Sequence, residues 1–122
     1  MFCVFPEVKG DMKAERTLRE IEYLLPQIRR LLERIYGDRL VDIILYGSFA
    51  RNNATKDSDV DIAVVLRGRV NKSEEISRIG EELYGLMLEA DELISVYPLS
   101  EDEMKNTVWP LYHHLRTEGV KI

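Results

Sequence analysis

Leu45-Tyr46-Gly47-Ser48-Phe49-Ala50-Arg51-Asn52-Asn53-Ala54-Thr55-Lys56-Asp57-Ser58-Asp59-Val60-Asp61-Ile62-Ala63-Val64-Val65-Leu66 is two apolar runs joined by a polar loop. The first run begins at Leu40, is rich in β-branched residues and stops at Gly47, which predicts a buried strand over 40–46. The second, Asp59 to Leu66, predicts another strand, closed by Arg67-Gly68. Side chains alternate along a strand, so Asp59 and Asp61 share one face, roughly 7 Å apart at Cα. Two like charges on one face of a short apolar strand repel, and a cation between them relieves the repulsion. Mg²⁺ suits the place, because it is a hard ion that takes carboxylate oxygens and keeps positions for water and phosphate. The plainer alternative is that both acids only cap the strand edge in a turn. Gly47-Ser48 weighs against it. Glycine lets the backbone approach a phosphate, a following helical turn aims its N–H groups at it, and Ser48 adds a hydroxyl. A phosphate cradle next to a metal-holding strand is what phosphoryl transfer needs.

Upstream, Leu18, Ile21, Leu25, Ile28, Leu32 and Ile35 recur at spacings of three and four. They predict an amphipathic helix from about Lys13 to Tyr36. Pro26 interrupts it, so a kink or two helices meeting there are expected, and Gly37 is the stop. Downstream, Asn71 with Glu74 predicts a capped helix start, and Ile76, Ile79, Leu83 and Leu86 form its inward stripe. Leu93 to Leu99 predicts a third strand ending around Pro98. Ser100 with Glu103 predicts a further helical turn, and Pro110 opens a last helix that Gly119 ends. The order helix, strand, strand, helix, strand, helix predicts an α+β fold, a small mixed sheet flanked by helices. Residues 1–122 are read as one domain, with 1–12 as a loosely ordered N-terminal segment.

An apolar fraction of 45% and a charged fraction of 32% over 122 residues are those of a globular chain with room for one core. The apolar runs are too short to span a bilayer. Met1-Phe2-Cys3-Val4-Phe5-Pro6 lacks the basic lead of a signal peptide, so a cytoplasmic location is expected. Cys3 is the only cysteine, which leaves no disulfide and no Cys-based zinc site. The net charge of −5 opposes a general nucleic-acid surface. It is compatible with a nucleoside triphosphate whose charge a metal balances. His113 and His114 are adjacent, about 100° apart on a helix, and read as structural or surface residues rather than ligands.

Gly47-Ser48, ten residues, and then Asp59-Val60-Asp61 inside Ser-Asp-Val-Asp-Ile resembles the DNA polymerase β-like nucleotidyltransferase superfamily. The chain is most similar to the minimal nucleotidyltransferases of prokaryotes. The signature covers about Leu45 to Leu66. A looser likeness runs through Leu93-Ile94-Ser95 to Pro110-Leu111-Tyr112 and Glu118-Gly119-Val120-Lys121-Ile122. One departure is Asn52, where many relatives have Gly; Asn is the next best residue for a left-handed backbone. The resemblance implies a polymerase β-like nucleotidyltransferase fold, with ATP or another NTP as substrate. It also implies Mg²⁺, as two ions about 3.5–4 Å apart. It implies that Gly47 and Ser48 hold the β- and γ-phosphates and that Asp59 and Asp61 bind metal. Arg51 either touches the triphosphate or buttresses the turn.

In the superfamily a third acid from a neighbouring strand completes the metal site. Asp91 and Glu92, at the entrance to the third strand, are the candidates here. Adjacent residues point to opposite faces, so only one can aim at the metals. Asp91 has the expected type, with Glu92 as the alternative; the plainer reading is that both simply end the preceding helix. The implied reaction is attack of an acceptor hydroxyl on the α-phosphorus, with pyrophosphate leaving. Asp91 would assist deprotonation of the acceptor.

Minimal transferases of this kind are commonly paired with a small helical HEPN protein, an RNase toxin. They act as antitoxins by attaching AMP to a partner tyrosine. The resemblance therefore implies a HEPN-type partner as acceptor, in a hetero-oligomer. Two other readings compete. The chain could neutralise a partner by contact alone, without catalysis. It could instead modify a small hydroxyl compound such as an aminoglycoside, with a homodimer building the pocket. The N-terminal helix, Trp109 and Tyr112 would serve such an interface, or belong to the core.

Overall fold

The computed structural model describes residues 15–106 and 109–122. Cys3, the segment 1–12 and the Lys13 start of the expected first helix lie outside them. The described residues form, in order, α1 (Leu18–Ile21), α2 (Leu24–Tyr36), β1 (Leu40–Tyr46), β2 (Val60–Leu66), α3 (Lys72–Ala90), β3 (Ile94–Ser100), α4 (Pro110–Glu118) and β4 (Val120–Lys121). Short 3₁₀ turns lie at Gly37–Arg39 and Glu103–Lys105.

The expected long helix is two, but the break falls before the proline rather than at it. Pro26 is the third residue of α2, where the missing N–H is one of those no helix can pair internally. Residues 15–17 are not helical at all. The amides of Glu15 and Arg16 both donate to the Ala54 carbonyl, at 2.9 and 3.1 Å, and this bridge draws the segment onto the loop after β1. Gly37 ends α2 at a φ of 53°, its N–H donating to the Glu33 carbonyl.

The strands lie in the order β3-β2-β1-β4. β1 is antiparallel to β2 and to β4, and β3 is parallel to β2, so the sheet is mixed. Alternation along the strands gives two faces. On one, Ile43, Leu45, Ile62 and Val64 pack with Leu24, Ile28 and Leu32 of α2 and Ile79 and Leu83 of α3. On the other, Ile44, Ala63, Val65 and Leu99 pack with Tyr112 and Leu115 of α4. Burial on both sides is why β1 and β2 read as nearly continuous apolar runs. The second cluster is the smaller, and the face it covers also carries Tyr46, Asp61 and Ser95. That open end of the face is where the polar residues collect.

β4 was not expected, because two residues show no periodicity. Its approach depends on Gly119, where a methyl group would collide with Ile44 Cγ2 and the Leu115 carbonyl. Tyr112 belongs to the core, whereas Trp109 is exposed.

The helix cap at Asn71 forms, with its side-chain oxygen accepting from the Glu74 amide at 3.2 Å. The stripe behind it needs correction. Ile79 and Leu83 are buried and Leu86 is half-buried, but Ile76 is 44% exposed. Glu75 takes the inward place at 4% exposure. The reason is polar satisfaction: Glu75 Oε1 accepts from the Tyr36 hydroxyl at 2.6 Å and from Arg78 at 3.0 Å, and Oε2 accepts from Arg39 at 3.3 Å. Burial pushes the Glu75 carboxyl upward, but these donors together outweigh it and hold the group below the ordinary value of 4.5. A carboxylate with a depressed folded value stabilises fully above the unfolded value and loses that contribution as pH falls through the folded one. Glu75→Ala is expected to cost about 1–3 kcal/mol at neutral pH, because Tyr36 loses its acceptor and a cavity opens. The penalty should shrink on acidification below 4.5, as followed by urea unfolding at a series of pH values. A penalty that stayed constant down to acid pH would show that the charge contributes nothing.

Candidate active site

β1 leaves the core at Tyr46, and the next residue must reverse the chain. Gly47 does so at a φ of 77°, in the left-handed region that a side chain makes costly. Space forbids a side chain as well. A methyl on Gly47 would collide with Asp61 Oδ2 and stand 3.1 Å from its Cγ. The turn and the acid-bearing strand are therefore in direct contact, as pairing of Tyr46 with Asp61 in the β1–β2 ladder requires.

The turn itself is a short helical one. The Arg51 amide donates to the Gly47 carbonyl at 3.0 Å, and the Asn53 amide donates to the Ser48 carbonyl at 3.0 Å. Asn52 sits at a φ of 60°, so Asn does adopt the left-handed conformation expected of it. Phe49, only 2% exposed, anchors the turn in the core. Neither the amide nor the hydroxyl of Ser48 has a partner among the described residues, so both head the turn with donor capacity to spare. The guanidinium of Arg51 makes no ion pair among the described residues. It is close enough, however, to oppose the upward push on Asp61.

Asp59 and Asp61 lie on the same face, as alternation predicts, and they feel each other. Burial raises the Asp61 carboxyl above the usual carboxylate range, and the neighbouring charge of Asp59 raises it further. Burial, and after it the charge of Asp61, likewise pushes the Tyr46 phenol upward. A half-buried carboxylate destabilised by a second one beside it is a donor set that suits a divalent cation. The space that a side chain at Gly47 would need is filled by that same carboxylate.

The two candidates for the third acid stand at the α3–β3 junction. Asp91 caps the C-terminus of α3 in a left-handed conformation at a φ of 55°, with its side chain exposed. Glu92 is engaged by Arg16, whose Nη1 donates to Glu92 Oε1 at 3.1 Å while Nη2 pairs with Oε2. Among the described residues, no group of three or more His, Cys, Asp or Glu is placed to hold a metal. The residue opposite Asp61 on β3 is Ser95, and its hydroxyl donates to Asp59 Oδ2 at 3.3 Å. Ser95 went unnoticed in the sequence, although a polar residue alternating with Ile94 and Val96 in an apolar strand is a signal. Asp91 and Glu92 instead line, with Asp59, a cleft of about 540 Å³ whose other walls include the exposed Tyr84, Leu88 and Leu93.

A second missed feature is the strap over the loop. Arg16 places its guanidinium 5.1 Å from the Phe49 ring centre while pairing with Glu92. The Glu15 carboxylate accepts from the Lys56 amide at 2.9 Å. One short segment thus ties the turn, the loop and the α3–β3 junction together.

No curated protein matches the chain in sequence. In structure, the chain is similar to a chain from the crystal structure of a mutant of the toxin–antitoxin MntA-HpeT. The TM-score is 0.56 at 20% identity, over 80% of this chain and 70% of that one. At that identity the likeness speaks for the fold. The family is shown by sequence, because the pattern described as "Nucleotidyltransferase domain" matches residues 25–106, a span holding the turn, both aspartates and β3. With Gly47-Ser48 packed against the Asp59–Asp61 strand in an α+β domain, the chain belongs to the nucleotidyltransferase domain family.

Proposed function

We propose that the protein is a Mg²⁺-dependent transferase that moves AMP from ATP to a hydroxyl of a protein partner, and that it acts as an antitoxin. The partner would be a helical HEPN-type toxin and the acceptor one of its tyrosines. The observation that carries the transferase activity is the contact between Gly47 and the Asp61 carboxylate, which sets the turn directly against a like-charged acidic pair. A bound cation would relieve the repulsion within that pair.

In this scheme the Ser48 amide and hydroxyl bind phosphate oxygens, and Gly47 gives them access. Asp59 and Asp61 hold the cation. A bound Mg²⁺ ion neutralises charge on the triphosphate and lowers the pKa of an acceptor hydroxyl. Arg51 places a positive charge beside Asp61 and the turn. The acceptor oxygen attacks the α-phosphorus, the bond to the bridging oxygen breaks, and pyrophosphate departs. Asp91 lines the cleft beside Asp59 from the cap of α3, and among the described residues it is not grouped with the pair as a third ligand.

A protein acceptor is favoured by the cleft beside Asp59. It is open, and Tyr84, Leu88 and Leu93 present apolar surface at 62%, 66% and 64% exposure. The described residues offer no second lobe to enclose a small substrate such as an aminoglycoside. The structural neighbour comes from a toxin–antitoxin pair, which agrees with this class of partner. The charge of −5 fits a partner that is itself cationic, as a protein that binds RNA would be. No helix among the described residues is long and apolar enough to cross a membrane.

Incubation with ATP labelled on the α-phosphate, Mg²⁺ and the partner protein tests the proposal. Label should appear on a partner tyrosine, one pyrophosphate should be released per AMP attached, and the partner's toxicity should fall. Neutralisation of the partner with no label transferred would replace the enzyme by a contact inhibitor.

A further inference from the structure

Building on the proposed transferase activity, we propose that Arg16 is a positioning residue for the nucleotide. It holds the Ser48 turn and the backbone of the aspartate pair in one arrangement before the nucleotide binds.

Asp61 lies between Tyr46 and Ser95 in its row of the sheet, and the rung with Tyr46 is the last of the β1–β2 ladder. The chain from Gly47 to Val60 lies beyond that rung, and this stretch carries both Ser48 and Asp59. Their relative placement therefore needs another support.

Arg16 reaches both sides of the gap. Toward the turn, its amide donates to the Ala54 carbonyl at 3.1 Å, and its guanidinium lies 5.1 Å from the centre of the Phe49 ring. Phe49 directly follows Ser48, so a shift of that buried ring would swing the Ser48 amide and hydroxyl. Toward the acids, Nη1 and Nη2 pair with the two Glu92 oxygens. Leu93 comes next, and its carbonyl accepts from the amide of Val60, the residue between the aspartates, at 2.8 Å. A planar fork on both oxygens of a carboxylate fixes direction as well as distance.

The side chains of Arg16 and Glu92 are only 19% and 12% exposed, and Arg16 Nε also donates to Glu20 at 3.3 Å. A cation so committed acts through its neighbours rather than as a phosphate ligand, although it lines the cleft beside Asp59. Without it, turn and acids are aligned only part of the time. If the aligned state fell to about one tenth of the population, the apparent Kd for nucleotide would rise about tenfold.

The test is calorimetric titration of the full chain with α,β-methylene ATP and Mg²⁺, well below the unfolding temperature of every variant. Arg16→Ala should raise the Kd about tenfold. Glu92→Gln should raise it too, and the double variant should bind no more weakly than Arg16→Ala, because both changes cut one linkage. Arg16→Lys should fall between wild type and Arg16→Ala, since an ammonium cannot grip both Glu92 oxygens as a fork. Glu75→Ala, which loosens the core between α2 and α3, should bind as the wild type does. Wild-type affinity in a folded Arg16→Ala protein overturns the inference, as does an equal loss in Glu75→Ala. Unchanged or tighter binding by Glu92→Gln also overturns it, because a guanidinium released from Glu92 would then be serving the phosphates itself. Where Arg16→Ala does not fold, wild-type affinity in both Arg16→Lys and Glu92→Gln has the same force. Wild-type protein that binds no analogue sinks the transferase assignment along with this inference, whereas equal binding by wild type and Arg16→Ala sinks this inference alone.

Discussion

Asp61→Asn is expected to lower nucleotidyl transfer by about a thousandfold or more, which corresponds to ~4 kcal/mol of barrier. The fold should stay intact. The side chain stands at the centre of the row beside Ser95 and in contact with the Gly47 turn, so no other described carboxylate can take its place. The amide keeps the shape and one oxygen but removes the charge that holds the cation against phosphate. Stability should move the other way. Burial and Asp59 both raise the Asp61 carboxyl, which means that its ionised form is disfavoured in the empty protein. A neutral amide relieves that, so the midpoint of thermal unfolding should equal or exceed that of the wild type in the absence of metal. Added Mn²⁺ should raise the midpoint of the wild type and not that of the variant. Pyrophosphate release at the wild-type rate from Asp61→Asn would remove the aspartate pair from the mechanism.

Gly47→Ala should damage both the fold and the activity. The residue has a φ of 77°, and in that region a side chain costs roughly 1–2 kcal/mol. The new methyl would also strike the Asp61 carboxylate, forcing either the turn or the acid to move. Transfer is expected to fall about a hundredfold or more, since displaced donors lose their aim at developing charge. The KM for the nucleotide should rise with it, because the turn contacts phosphate before reaction as well as during it. The collision predicts non-additivity. Combined with Asp61→Ala, which removes the atoms struck, Gly47→Ala should destabilise by clearly less than it does alone, a coupling of the size found for residues in contact. Chemical denaturation of the four proteins measures it. Independent effects would mean that backbone strain alone explains why glycine is needed.

These expectations share one origin. Among the described residues, the short cluster on the α4 side of the sheet does not cover the N-terminal end of β2, and there a half-buried carboxylate pair meets a turn whose Ser48 donors have no partner. Among the described residues, the opposite face, packed by α2 and α3, carries the larger core. Stability and chemistry are thus divided between the two sides of one sheet.

Much of this was legible in the residues. The bounds of β1 agree with the apolar run from Leu40 to Tyr46, and Asn71, Pro110 and Gly119 mark helix ends as local chemistry requires. The neighbourhood of Gly47-Ser48 and Asp59–Asp61 was legible too, since a tight turn and a two-residue alternation are local properties of the chain. Where expectation failed, the missing information was long-range. Ile76 and Glu75 compete for one inward position, and only the presence of Tyr36 and Arg39 across the core decides for the acid. The residues at 15–17 have helical neighbours, yet the carbonyl of Ala54 holds them extended.

The sequence by itself determined the α+β order of elements, the turn, and the pair of aspartates on one face, because each depends on spacing within a few residues. Only the tertiary structure decided which residue of β3 lies beside Asp61. That choice rests on a strand register set by packing on both faces of the sheet, and it brings up Ser95 while leaving Asp91 at the end of a helix. A shift of one residue would turn every side chain of the strand to the other face, which is why no local pattern could settle it.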